Sequence, residues 1–292
     1  MSSHIQKVGT AIFQNGGNIF RVRDSPSYDT RSWSGFGRPN GLAFDRLTGH
    51  RIFVCESAGG TLKVFDINSQ TITNSIDTGI GYLFSLDYDP NTNRIACLGY
   101  GTGLKIYDGT TLALLATYTG PTMNTSVGVA FDPVAGNNRL CVLGQGNGGA
   151  IWLWELDANT LAQKSSKILY NTGVNSFGLT WDLDISQNRL FGACSNGVNL
   201  IDATSLTVNA IQAGVDGSKT LRVDPTPAFN RMAVANGTSV GIYSRSTMAL
   251  LYKVTNFYNL SCCDFDSVGA RYRFFVADAS SGILTEIVES AV

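Results

Sequence analysis

The chain has 292 residues, 43% of them hydrophobic and only 15% charged, with a formal net charge of −1. Near-neutrality with scattered Lys and Arg gives no electrostatic footprint for nucleic acid or an anionic membrane. No apolar run nears the roughly 18 residues that a bilayer crossing needs, and MSSHIQKVGTAIF has neither the positive start nor the apolar stretch of a secretory signal.

In chain order, the first signal is a turn-prone segment, Gln14–Asn18, leading into the β-prone run Ile19–Arg23. Between Asn40 and Gly79 come four short runs, Gly41–Phe44, Arg51–Cys55, Leu62–Phe65 and Thr71–Ile76, separated by Gly, Asn, Ser and Asp. Those are the residues that tolerate turn geometry. The unit then recurs at a period of about 40–50 residues, which points to a propeller or a solenoid. Further third-strand runs lie at Leu104–Tyr107, Ile151–Leu156, Val198–Ile201, Val240–Tyr243 and Ile283–Val288.

Each repeat carries an Asp that closes one strand and an Arg that opens the next. The pairs are Asp45 and Arg51, Asp89 and Arg94, Asp132 and Arg139, Asp182 and Arg189, Asp224 and Arg231, and Asp266 and Arg273. Asn precedes four of these arginines. Across a hairpin turn the planar guanidinium fork can meet the carboxylate or donate to loop carbonyls. The pairs are therefore expected to be structural staples, each contributing about 0–1 kcal/mol where exposed.

Seven turn-plus-third-strand units but only six first and six fourth strands can be traced. This predicts an all-β chain folded as a single β-propeller over residues 1–292, with seven four-stranded blades. The N-terminal segment Ser2–Val8 is expected to close the ring against the last blade, and a count of six stays open. Closure removes the free sheet edges that otherwise aggregate.

The segments YDPNTNRIACL, FDPVAGNNRLCVL, LKIYDGTTLALLATYTG and VNLIDATSLTVNAIQAG resemble YVTN-type repeats, known from surface-layer-like β-propellers, over about residues 40–290. Pro39–Asp45, PNGLAFD, is similar to NHL and gluconolactonase-type propellers, in one blade. Trp181-Asp182 is WD40-like in composition only, because it closes a first strand. The YVTN resemblance implies a binding or structural platform. The gluconolactonase resemblance implies a divalent cation held in the central tunnel by Glu, Asn and Asp. The equivalent positions here are Asn40, Phe84, Val127, Phe177, Lys219 and Ser261, and a lysine with three apolar residues is hostile to a cation.

No catalytic motif is present. Neither histidine has a partner suited to general-base work, and the six cysteines lack metal spacing. Cys55, Cys97, Cys141 and Cys194 are expected as small buried hydrophobes. Asp87, Asp184 and Asp264, each two residues from a repeat Asp, could converge, but the preferred expectation is that they are solvated strand-end carboxylates. No catalytic residue, metal ligand or cofactor is assigned. The loops that lead into each first strand gather Arg38, Asn40, Tyr82, Phe84, Asn124, Asn175, Phe177, Lys219, Phe257, Tyr258 and Asn259. Aromatics mixed with amides suit a binding surface.

The expected function is thus a non-catalytic scaffold whose loop face takes a protein or glycan partner. Nucleic-acid binding and membrane insertion are not expected. The alternatives are a structural or attachment subunit of a virion or surface layer, and a lactonase-like metal-dependent hydrolase. The expected location is soluble, made in the cytoplasm without a signal peptide, with incorporation into a virion or other large particle as a further expectation.

Overall fold

The computed structural model describes residues 12–15, 18–21, 28–101, 103–121, 123, 125–171, 174–212, 220–266 and 273–289. These residues are all-β apart from three short 3-10 turns, and their sheets form a β-propeller. Blade 1 comprises Pro39–Phe44, Arg51–Glu56, Thr61–Asp66 and Thr71–Asp77, and blade 2 comprises Leu83–Asp89, Arg94–Gly99, Leu104–Asp108 and Leu114–Thr117. Blade 3 is built from Thr125–Phe131, Arg139–Gln145, Ile151–Asp157 and Gln163–Tyr170. Blade 4 is built from Ser176–Trp181, Arg189–Cys194, Gly197–Asp202 and Thr207–Gln212.

The remaining strands form one seven-stranded sheet that serves as two blades. Leu250–Phe265 runs unbroken through both. Its first half pairs with Gly237–Ser244 as the outer strand of blade 5, and its last residues pair with Arg273–Asp278 as the inner strand of blade 6. Blade 5 also holds Thr220–Val223 and Arg231–Ala235, and blade 6 is completed by Ile283–Glu289 and Tyr28–Trp33.

Apolar clusters fill every gap between neighbouring blades, from blades 1 and 2 round to blades 5 and 6. The cluster joining blade 6 back to blade 1 sets Cys262, Phe275 and Leu284 against Leu42, Phe44 and Ile52, all buried. The ring therefore closes with six blades, and a seventh is not found among the described residues. Two local causes explain the difference. Ile19–Arg23, expected as a seventh third strand, overlaps Asn18–Arg21, which pairs with Ile12–Asn15 in a separate hairpin. Closure comes from Tyr28–Trp33, a polar outer strand without the Asp or Arg marker; Ser2–Val8 lie outside the described residues.

Turn chemistry accounts for the repeat motifs. Asn93, Asn138, Asn188 and Asn230, the residues before four repeat arginines, all have φ between 39° and 53°. Asn tolerates this left-handed conformation better than other side chains do. In the outer hairpins Asp108, Asp157 and Asp202 each accept two backbone amides and a Thr or Ser hydroxyl from the residues that follow. No helix of the described residues is long and apolar enough to cross a membrane.

Candidate functional site

A closed ring of inner strands leaves one edge of each facing the tunnel, with backbone N–H and C=O groups that need partners. Buried charges supply them here. Arg222 of blade 5 donates to the Leu179 carbonyl of blade 4 at 3.1 Å and to the Leu86 carbonyl of blade 2 at 2.5 Å. Asp264 of blade 6 accepts from the Phe44 amide of blade 1 and from Phe265, both at 2.8 Å. Asp87 of blade 2 accepts from the Phe131 amide of blade 3 at 2.8 Å. Arg46 lies 3.4 Å from Asp264, and Arg222 lies 3.9 Å from Asp87. Every blade thus contributes a group to one charge-balanced network on the axis.

This corrects the expectation that Asp87 and Asp264 are solvated. Asp264 is 1% exposed and the Asp87 side chain 13%; only Asp184 stays out, beside Ser186 and Arg245. Burial pushes the Asp87 carboxyl above its ordinary range against the pull of Arg222 and Arg46. Burial also works against the Arg222 charge, but Asp87 and Asp264 outweigh it and hold the guanidinium above its usual value. Sequence reasoning missed Arg222. Its signal is positional, since it stands two residues before the repeat Asp, as Asp87 and Asp264 do.

At the mouth where the inner strands end, the repeat arginines meet their aspartates in five blades. The distances are 2.6 Å for Arg51 and Asp45, 2.8 Å for Arg139 and Asp132, and 2.7 Å for both Arg189 with Asp182 and Arg231 with Asp224. Arg273 pairs with Asp266. The five carboxylates are buried, so the small contribution of an exposed pair does not apply to these staples. Blade 2 is the exception. Arg94 is not paired with Asp89; it donates to the Ala158 carbonyl at 3.2 Å and to Asn159 of blade 3. Its turn is also shorter, with five residues from Asp to Arg where the others have six or seven.

At the opposite mouth, the structure divides the expected loop residues into two groups. Tyr82 and Tyr258 are 59% and 83% exposed, and Arg38 and Asn175 are also exposed. Tyr100, not singled out from the sequence, is 63% exposed and donates its backbone amide to the Tyr82 carbonyl at 3.0 Å. The Tyr258 and Asn259 amides are fixed on Asp278 at 3.0 and 2.7 Å. Phe177 and Phe257, by contrast, pack half-buried against the blade interfaces. Asn124 and Lys219 lie outside the described residues.

The tunnel-entrance positions have a shared backbone cause. Asn40, Phe84, Val127, Phe177 and Ser261 each stand at a register shift of the inner strand, and a bulge re-aims the side chain it carries. Asn40 donates to the Leu83 carbonyl of blade 2, and Ser261 to the Pro39 carbonyl of blade 1. These two polar members therefore stitch neighbouring blades.

The six cysteines are free and buried. Burial pushes the thiols of Cys141, Cys194 and Cys262 up to about 12, which leaves them unreactive at neutral pH. Among the described residues no group of three His, Cys, Asp or Glu side chains could hold a metal ion. Compared with known proteins, the chain matches no family model and no curated protein.

Proposed function

We propose that this β-propeller is a non-catalytic binding scaffold, and that the loop face carrying Arg38, Tyr82, Tyr100 and Tyr258 engages a protein or glycan partner. The observation that carries the reading is the exposure of three tyrosines at one mouth, Tyr82 and Tyr100 on loops joined by a backbone hydrogen bond and Tyr258 on the strand Leu250–Phe265 with its amide held by Asp278. Tyrosine brings large contact area at low entropic cost, and pre-fixed backbone loses little freedom on binding. Arg222 and the carboxylates of Asp87 and Asp264 bind carbonyls and amides of other blades near the axis, an arrangement that suits a rigid frame better than a reaction chamber. A guanidinium on the axis also opposes the cation that a lactonase-like site would need there.

A second reading has its own support. Leu114, Leu115, Ile168, Ile211, Leu250 and Leu251 are all at least 42% exposed on the outermost strands of blades 2 to 5. A rim of this kind suits lateral packing as a subunit of a virion or surface layer.

The test is the native mass of the protein in the material in which it is made, for the wild type and for Tyr82→Ser/Tyr258→Ser. The loop-face reading expects a complex that the double variant releases to the 31.3 kDa chain mass. A complex that survives the double variant but dissociates on Leu115→Ser/Leu251→Ser would favour the rim. Wild type running at the chain mass would count against both stable assemblies.

A further inference from the structure

The exception in blade 2 leaves a cradle without its occupant. In blade 1 the Asp45 carboxylate accepts the Thr48 hydroxyl and, on the same oxygen, Arg51. Asp89 repeats this arrangement as far as Thr92, whose hydroxyl donates to Oδ2 at 2.5 Å, and the Asn91 amide, which donates to Oδ1 at 2.9 Å. No cation pairs with Asp89 among the described residues, although the residue is only 8% exposed.

The aromatic half of the cradle is also vacant. Arg139 lies over the ring of Trp181 at 4.5 Å and Arg231 over that of Phe265 at 5.7 Å. In both cases the ring belongs to the residue before the repeat Asp of the next blade. The counterpart for blade 2 is Phe131, and no cation lies over it among the described residues. Two adjoining cavities of about 210 and 300 Å³ share Asp89, Asn91, Phe131 and Asp132 in their walls; Arg46 and Asp87 also line the first, and Arg94 and Arg139, both held by other partners, line the second.

We propose that this position is a guanidinium-binding site, in which Asp89 takes the planar fork and Phe131 takes its face. The protein's own repeats identify the ligand chemistry, because five blades hold a guanidinium on the equivalent carboxylate. An ammonium lacks the paired donors and flat face that such a cradle matches. The site lies at the mouth opposite the tyrosines and stands independently of them. Its ligand is either a small free guanidinium compound or an arginine side chain presented by a partner.

The test titrates the full chain with methylguanidinium, methylammonium and the peptide acetyl-Gly-Arg-Gly-amide, following the Asn91 and Thr92 amide signals. The proposal expects saturable shifts with methylguanidinium, binding about tenfold weaker for methylammonium, and loss of the shifts in Asp89→Asn. Peptide binding clearly tighter than methylguanidinium assigns the site to a partner's arginine; equal affinity assigns it to a free compound. Phe131→Leu, expected to weaken binding while keeping the apolar volume, is read if Asp89→Asn does not fold. No saturable shift in the wild type, equal response to methylammonium, or shifts unchanged in a folded Asp89→Asn would overturn the proposal. So would binding that appears only in Arg94→Ala, which would mean that the cradle is filled by its own arginine.

Discussion

The Arg222 guanidinium, rooted in blade 5, donates to the Leu86 carbonyl of blade 2 across the axis and sits 3.9 Å from the Asp87 carboxylate. This contact ties opposite sides of the ring through a group that is itself buried. Removing one partner of such a pair strands the others in a low-dielectric site. Arg222→Met is expected to cost about 3–5 kcal/mol of unfolding free energy, measured by urea denaturation. A loss below about 1 kcal/mol, as for exposed pairs, would contradict the axial role.

The staples of blades 2 and 3 make a matched comparison. Arg139 holds the buried Asp132, lies over Trp181 and donates to the Ala203 carbonyl at 2.9 Å. Arg94 has only the carbonyl and Asn159. Arg139→Ala is expected to cost about 3 kcal/mol because it leaves a buried carboxylate unpaired, and Arg94→Ala about 1 kcal/mol or less. Equal losses in thermal or urea melts would contradict the assignment.

Much of this was legible in the chain. The Asp and Arg markers locate the six inner hairpins, and the Asn before four of the arginines is a visible marker whose left-handed conformation only the structure shows. The seventh blade was misread because Gln14–Asn18 imitates a blade turn and because Tyr28–Trp33, an outer strand, carries no marker. The axial network was hidden for a different reason. Asp87, Arg222 and Asp264 lie far apart in sequence, and only ring closure sets them against the free edges of other blades. Of the loop-face residues, Tyr82 and Tyr258 could be found as aromatics among turn residues, whereas nothing local distinguished them from the half-buried Phe177 and Phe257.

Close approach of inner strands makes a third prediction. A Cβ at Gly128 would stand 2.6 Å from the Leu179 amide nitrogen of the next blade, and that backbone is itself held by its sheet. Gly128→Ala is expected to destabilise by about 1–3 kcal/mol. An unchanged melting temperature would show that the blades have room to part.

Acid stability follows from the outer turns. Hydrogen bonds from the Thr160 amide, outweighing slight burial, hold the Asp157 carboxyl down at about 2, against an ordinary 3.8. Asp108 and Asp202 are lowered by the equivalent Thr111 and Ser205 amides. Carboxyls lowered in the folded state contribute stability that is present above the unfolded value and lost as pH falls towards the folded one. Asp87, raised by burial, acts in the opposite sense. The melting temperature is expected to fall between about pH 4 and 2, and less steeply in Asp157→Asn. A parallel decline in both proteins would contradict this origin.

The most direct test of the scaffold reading is site-specific photocrosslinking in the material where the protein is made, with benzoylphenylalanine placed at position 82, 258 or 251. The account predicts a discrete crosslinked species from the loop-face positions 82 and 258 and none from the rim position 251. Crosslinks from 251 alone, with 82 and 258 silent, would contradict it and make the rim the working surface.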